Sequence, residues 1–250
     1  MSAHDDLVPI LKRLRLSGVL DTLELRAEQA VDDKLSYVDF VYRLLCDEVE
    51  RRDANKLTRM LHKADFEAHK TLKDFDFTFN PTIPRERIIE LGVCSFVERA
   101  ENVLLVGPAG TGKSHIAQAL GHRACRAGHS TRYIAAHQLL SELRAARADR
   151  SWEKQLYKLC SVDLLIIDDL GLRPLAQDEP VDLYELIRRR YEQGSVMITS
   201  NRAIDEWYAM FGDALLASSA MDRLLHHCHT ITLDGHSYRN PPSKARPAPH

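Results

Sequence analysis

The stretch Gly107-Pro-Ala-Gly-Thr-Gly-Lys-Ser114 constrains this chain more than any other. It fits the phosphate-loop pattern in full. An apolar run ends before it at Val106, and a helical pattern follows from Lys113 through Ile116, Ala119 and Leu120. Gly110 and Gly112 permit a tight backbone that aims successive N–H groups at phosphate oxygens. The start of the helix adds partial positive charge. This spacing puts Lys113 within reach of β- and γ-phosphates and the Ser114 hydroxyl on a magnesium ion. A nucleotide site is therefore expected from Gly107, Pro108, Ala109, Gly110, Thr111, Gly112, Lys113, Ser114 and His115.

A phosphate loop does not say what becomes of the γ-phosphate. Leu164-Leu-Ile-Ile-Asp-Asp-Leu-Gly171 reads as an apolar strand ending in two carboxylates. Asp168 is placed to hold the shell of Mg2+, and Asp169 to orient and deprotonate an attacking water. A third apolar run, Val196 to Ser200, ends in Asn201, whose amide can hydrogen-bond that water or the γ-phosphate. Guanine recognition would require Asn-Lys-x-Asp after the loop. The Asn-Lys pair here, Asn55-Lys56, lies upstream and lacks the Asp, so ATP is the expected nucleotide.

The surrounding pattern is α/β. Short runs at Asn102–Val106, Thr131–Ala135, Val162–Asp168, Ser195–Ser200 and His229–Leu233 alternate with helical stretches, which predicts a parallel five-stranded sheet flanked by helices. Residues up to about Lys73 read as helical, with one glycine, Gly18, and Ser36 as an N-cap. The expected organisation is a small helical N-terminal domain at 1–74 for DNA or partner binding, an ATPase domain at 75–235, and a flexible Pro-rich basic tail at 236–250. Phe75 to Arg85, with Asn80-Pro81 and Ile83-Pro84, reads as the linker.

Lys+Arg number 34 and Asp+Glu 36, a formal net charge of -2, so any nucleic-acid surface must be local. One candidate is the helical stripe Arg52, Lys56, Arg59 and Lys63, which also reads as a solvated face steadied by pairs such as Glu48 with Arg52. The other is Arg144, Arg147, Arg150 and Lys154 around Trp152. Neither suggests a base-reading code, which fits DNA bound by backbone and deformability. Five scattered cysteines, no secretory pattern at the start and no apolar run long enough for a bilayer predict a soluble cytoplasmic protein without a membrane partner. His226, His227 and His229 flank Cys228. Neighbours on a strand face opposite ways, so His227 and His229 alone should converge; with no further ligand nearby, the segment reads as structural.

These motifs resemble the IstB family. The resemblance rests on the phosphate loop, Ile166-Ile-Asp-Asp-Leu-Gly171, Thr199-Ser-Asn-Arg202, Glu206-Trp207 ahead of Phe211-Gly-Asp213, Asp222-Arg-Leu-Leu-His-His227 and Ser237-Tyr-Arg239. Leu14-Arg-Leu-Ser-Gly18 and Phe75-Asp-Phe77 extend it toward the amino terminus, so it covers about Leu7 to Arg239. The IstB proteins are AAA+ helper ATPases of insertion-sequence transposition, akin to the helicase loader DnaC and the initiator DnaA. The resemblance implies an AAA+ P-loop NTPase that hydrolyses ATP and forms a homo-oligomer on double-stranded DNA. It further implies bending of that DNA and recruitment of the transposase of the same element; a DnaC-type helicase loader is the alternative. Lys113, Asp169, Asn201 and Arg223 are then the catalytic set, with Asn201 sensing the γ-phosphate and Arg223 acting as an arginine finger in a neighbouring subunit. The residues after Leu233 are too few for a helical lid, which leaves Arg239 as the nearby candidate for a sensor arginine.

Overall fold

Every apolar run expected to be a strand is one in the computed structural model, which describes residues 3–239. The strands are β1 (Asn102–Val106), β2 (Thr131–Ala135), β3 (Leu164–Leu170), β4 (Ser195–Ser200) and β5 (Cys228–Thr232). They form one parallel sheet in the order β2-β3-β4-β1-β5. The helices are α1 (Ala3–Arg13), α2 (Ser17–Asp32), α3 (Tyr37–Ala64), α4 (Arg85–Leu91), α5 (Ser95–Glu98) and α6 (Lys113–Arg126). Beyond them come α7 (Ala136–Ala148), α8 (Trp152–Cys160), α9 (Glu179–Arg190), α10 (Trp207–Met210) and α11 (Ala214–Leu225). The chain divides into two compact units, residues 1–59 and 60–250.

In the second unit the two-residue period of the strands sorts side chains between two cores. Val103, Leu105, Ile166 and Met197 pack with Ile116 and Leu120 of α6 and with Ile88 and Phe96 of α4 and α5. Leu104, Leu165, Ile167, Val196 and Ile198 pack on the opposite face with α7 to α11, where Leu143, Leu156, Leu186, Trp207 and Met221 are almost completely buried. Both faces are thus covered, which is why the central residues of β1, β3 and β4 are continuous apolar runs and do not alternate with polar residues. At the amino ends of the strands, the buried Arg190 donates to the carbonyls of Leu159, Val162, Asp163 and Ser195 at 2.8 to 3.1 Å. Burial pushes its guanidinium down to about 10. At the carboxyl ends, β4 lies between β1 and β3, so that Val106 pairs with Ser200 and the two acids of β3 lie alongside.

The first unit is a small helical core of Leu11, Val19, Leu23 and Leu44, with Leu16, Leu20 and Phe40 against it. Ser36 caps α3 as expected, its Oγ accepting from the Asp39 N–H at 3.1 Å. Gly18 stands where α2 crosses α3: a Cβ there would lie 2.8 Å from the Cα of Glu48. The Gly18 N–H donates to the buried Glu48 carboxylate, as do Arg52 and Arg51. Burial alone would raise the pKa of Glu48, but these donors outweigh it and bring the group down to about 2.

Two boundaries differ from expectation. Residues 60–74 belong to the second unit, where Phe66 stacks on His122 at 4.4 Å and Asp65 pairs with Arg132. The expected linker is folded, with Phe75, Asn80 and Ile83 buried. Residues 236–239, grouped by composition with a flexible tail, are also folded. Asn80 exchanges hydrogen bonds with the backbone of His236, and the Tyr238 ring packs on Phe79 at 4.3 Å and Phe75 at 5.5 Å. The packing of that partly buried ring outweighs the local composition. The prolines and cations from 241 onward lie outside the described residues.

Gly18→Ala is expected to destabilise the α2–α3 crossing by about 1–3 kcal/mol through overpacking. Hydrogen exchange on the full chain should then speed up in residues 17–49 while β1, β3 and β4 keep their protection; unchanged exchange in 17–49 would contradict the close crossing.

Candidate nucleotide site

β1 delivers the chain to the loop at Val106. Gly110 and Gly112 adopt φ of 82° and 99°, the left-handed backbone that the motif predicts. Space makes the same demand. A Cβ on Gly110 would lie 2.1 Å from Ser237 Oγ, and one on Gly112 2.5 Å from Phe75. α6 starts at Lys113, so its unpaired N–H groups face the loop. Lys113 Nζ donates to the carbonyls of Gly107 and Pro108, each at 2.7 Å. Burial lowers its proton affinity, and the charges of Asp169 and Asp168 oppose that shift.

A cavity of about 490 Å³ opens over the loop and is lined by Ala109, Gly110, Gly112, Lys113, Ser114 and His115. Asp169, Asn201 and Arg239 share the lining, so the sheet order gathers these expected residues at one place. Lys70, Asp74, Phe75, Asp76, Leu172 and Tyr238 complete the wall, and none of them was expected from the phosphate-loop motif. Pro108 and Thr111 belong to the same turn, the Thr111 hydroxyl donating to the Pro108 carbonyl at 2.9 Å.

Asp168 is buried beneath this cavity. Its Oδ2 accepts from the Tyr133 hydroxyl at 2.6 Å and its Oδ1 from the Thr199 hydroxyl. The Thr199 oxygen in turn accepts from the Asp169 N–H at 2.9 Å. Asp169 sits at an irregularity in the β3–β4 pairing, with φ of 57°. Its proton affinity is raised, first by burial and then by Asp168, against the pull of Lys113 and Arg239. A carboxylate so placed is suited to accept a proton from water. Ser114 and Asp168 supply a hydroxyl and a carboxylate, hard oxygen donors that fit Mg2+. Each Asp168 oxygen keeps a lone pair beyond the one its hydroxyl donor uses. Tyr133 escaped the sequence analysis because a lone phenol on a short strand carries no sign of the distant carboxylate it meets. Burial and the Asp168 carboxylate keep that phenol protonated.

Other expected residues lie elsewhere. Arg223 is at the far end of α11, where the next carbonyl, Leu224, is held by the Asn102 side chain at the start of β1. Its Nη1 donates to the Ser219 carbonyl at 2.7 Å, and its guanidinium stands 5.7 Å from the centre of the Tyr184 ring. It is thus at the opposite end of the sheet from the loop of its own chain. Arg144 pairs with buried Glu179, which Arg173 also holds, and Arg147 pairs with buried Asp182 and covers Trp152 at 4.9 Å. Arg150 and Lys154 are exposed, as are Arg52, Lys56, Arg59 and Lys63 along α3. Arg52 is tied to Glu48 and to the Arg15 carbonyl, and Arg59 Nε to its own helix at Asn55. The histidine cluster departs from expectation. His227 takes a left-handed φ of 51°, which breaks the strand alternation and brings the His226 and His227 rings to 3.9 Å. His229 turns away to Glu101 at 2.8 Å.

Comparison with known proteins agrees with this geometry. The chain is similar to a protein of Mycobacterium tuberculosis described as ATP-binding in an insertion sequence, with 41% identity over 230 residues and 92% of each chain covered. It is also similar to the ATP-binding protein of insertion sequence IS21 from Pseudomonas aeruginosa, with 39% identity over 94% of this chain and 88% of that one. Among solved structures, DnaI matches 71% of this chain and 94% of its own, with a TM-score of 0.57 at 19% identity. The replication initiator DnaA bound to AMPPCP and single-stranded DNA matches 68% of this chain and 52% of its own, with a TM-score of 0.53 at 20% identity. The fold is that of an AAA+ P-loop protein, preceded by a helical amino-terminal region. Residues 9–245 match the family of IstB-like ATP-binding proteins, and the chain belongs to it.

Proposed function

We propose that this protein is an ATP-hydrolysing, DNA-binding helper of transposition, which assembles on double-stranded DNA and engages the transposase of its element. The observation that carries the reading is the division of the site. The loop, Asp169 and Asn201 line one cavity, with buried Asp168 next to Asp169, while Arg223 stands at the other end of the sheet. A second copy can bring its Arg223 to that cavity, which would make assembly a condition of turnover.

In this mechanism the loop N–H groups and Lys113 bind the β- and γ-phosphates; Ser114 and Asp168 would hold Mg2+, which would supply positive charge to offset that of the phosphates. Tyr133 and Thr199 fix the Asp168 carboxylate. Asp169, with its raised proton affinity, orients the attacking water and accepts its proton. Asn201 holds the same water or the γ-phosphate, and the partner's guanidinium stabilises charge spreading over the transferred group. The insertion-sequence relatives, at much higher identity than the loader-type structures, favour transposition over helicase loading. For DNA the reading uses the exposed cations of α3 with Arg150 and Lys154. Arg144 and Arg147 are engaged by buried acids, so they serve the fold first.

Asp169→Asn is expected to bind ATP with near-normal affinity and to lose about 10²–10⁴-fold in turnover, leaving oligomers trapped on DNA. Normal steady-state hydrolysis by that variant would refute the assignment. Arg223→Ala and Lys113→Ala are each expected to be inactive alone, with partial ATPase activity returning when the two are mixed. Silence in every mixing ratio would argue against an arginine acting between subunits. Lys56→Glu with Lys63→Glu should weaken duplex binding and reduce the slope of log affinity against log salt by about 2, read by anisotropy across a salt series. Arg147→Glu should instead lower the unfolding midpoint. A salt slope untouched by the α3 pair would remove that face from the DNA path.

A further inference from the structure

Outside the nucleotide cavity, one group of side chains has the composition and spacing of a metal site. A carboxylate oxygen of Glu192 and one ring nitrogen each from His226 and His227 lie within 4.8 Å of one another. Glu192 belongs to the turn between α9 and β4, and the histidines to the turn between α11 and β5. Both turns are anchored. Arg190 grips the first, accepting at its carbonyl from the N–H groups of Gln193 and Gly194 and donating from its guanidinium to Ser195. Asn102 grips the second, its side chain donating to the Leu224 carbonyl and its N–H to that of His227. Glu192 and His227 both take left-handed backbone, with φ of 57° and 51°. This uncommon conformation for side-chain-bearing residues turns both side chains into the group.

We propose that Glu192, His226 and His227 bind a divalent transition-metal ion of the zinc class, with water completing the coordination. Two imidazoles and a carboxylate are a donor set that such ions take, and three protein ligands with one open position is a common arrangement for zinc. All three side chains are exposed, so an ion can enter from solvent and the donors can close to the separation of about 3.4 Å that tetrahedral binding needs. The Tyr191 hydroxyl lies 3.0 Å from His226 Nδ1 and so orients that ring, the kind of outer-shell contact that ligating histidines make. Asp222 faces Tyr191 from α11 and adds negative charge beside the group. Arg223, which also faces Tyr191, is engaged by the Ser219 carbonyl and the Tyr184 ring. Strand alternation predicted a pairing of His227 with His229, and the left-handed His227 replaces it with this one. A bound ion would join the end of α9 to the end of α11, one turn beyond Arg223. Binding itself does not depend on the role proposed for that arginine.

The test uses the full chain, stripped of metal and titrated with Zn2+ against a chromophoric chelator in buffer containing Mg2+. The wild type is expected to bind one Zn2+ per chain in competition with the chelator. His226→Asn, His227→Asn and Glu192→Gln should each weaken binding by about 10-fold or more, with circular dichroism unchanged because the side chains are exposed. His229→Asn, whose ring faces Glu101, should leave the affinity unaltered. Co2+ in place of Zn2+ should give the visible absorption of a tetrahedral ion, lost in the His226→Asn, His227→Asn double variant. Failure of the wild type to compete, or a loss in His229→Asn equal to that in His226→Asn, would overturn the site.

Discussion

One hydroxyl group couples the two adjacent acids at the candidate nucleotide site. Thr199 Oγ1 donates to Asp168 and accepts from the Asp169 N–H, so a single atom on β4 sets both the buried carboxylate and the backbone of its neighbour. The contact requires β4 to lie directly beside β3. It also allows Asp169 to leave the ladder in a left-handed conformation, since the N–H released from the strand finds a partner. Two adjacent carboxylates with unlike surroundings result: one buried and held by hydroxyl donors, the other open to the cavity and pushed toward holding a proton. Separation of that kind lets neighbouring acids take different roles.

Much of the site was legible because its chemistry is local. The phosphate loop, the paired acids and Asn201 each stand at the end of an apolar run, and such runs announce both a buried strand and the point where it stops. What escaped the sequence reading comes from contacts between distant parts of the chain. Tyr133 meets Asp168 across the sheet, and Tyr238 meets Phe75 and Phe79 after more than half the chain has intervened. No window of residues carries those pairings. Composition then misleads: residues 236–239 look like the start of a polar tail but are held by one aromatic ring and the Asn80 side chain.

The arginines teach the same lesson about charge. Arg144 and Arg147 read in one dimension as part of a basic patch. In three dimensions their guanidinium groups answer the buried carboxylates of Glu179, which Arg173 shares, and Asp182. A buried carboxylate needs donors wherever they originate in the chain. Gly18 shows the converse. A motif known only by resemblance acquires a physical reason, since no side chain fits between α2 and the Glu48 backbone.

The polarity of the sheet has a geometric consequence. The cavity lies at the carboxyl ends of the strands, whereas Arg223 lies at their amino ends. A contact that joins one to the other therefore matches unlike surfaces. Such a heterologous contact is not closed by a two-fold axis. Repeated, it leaves one unsatisfied cavity and one unused arginine at the two tips of a growing row, unless the row curves back into a ring. In the proposed assembly, growth along an extended polymer such as duplex DNA would be directional, and the two ends of any open row would be chemically different.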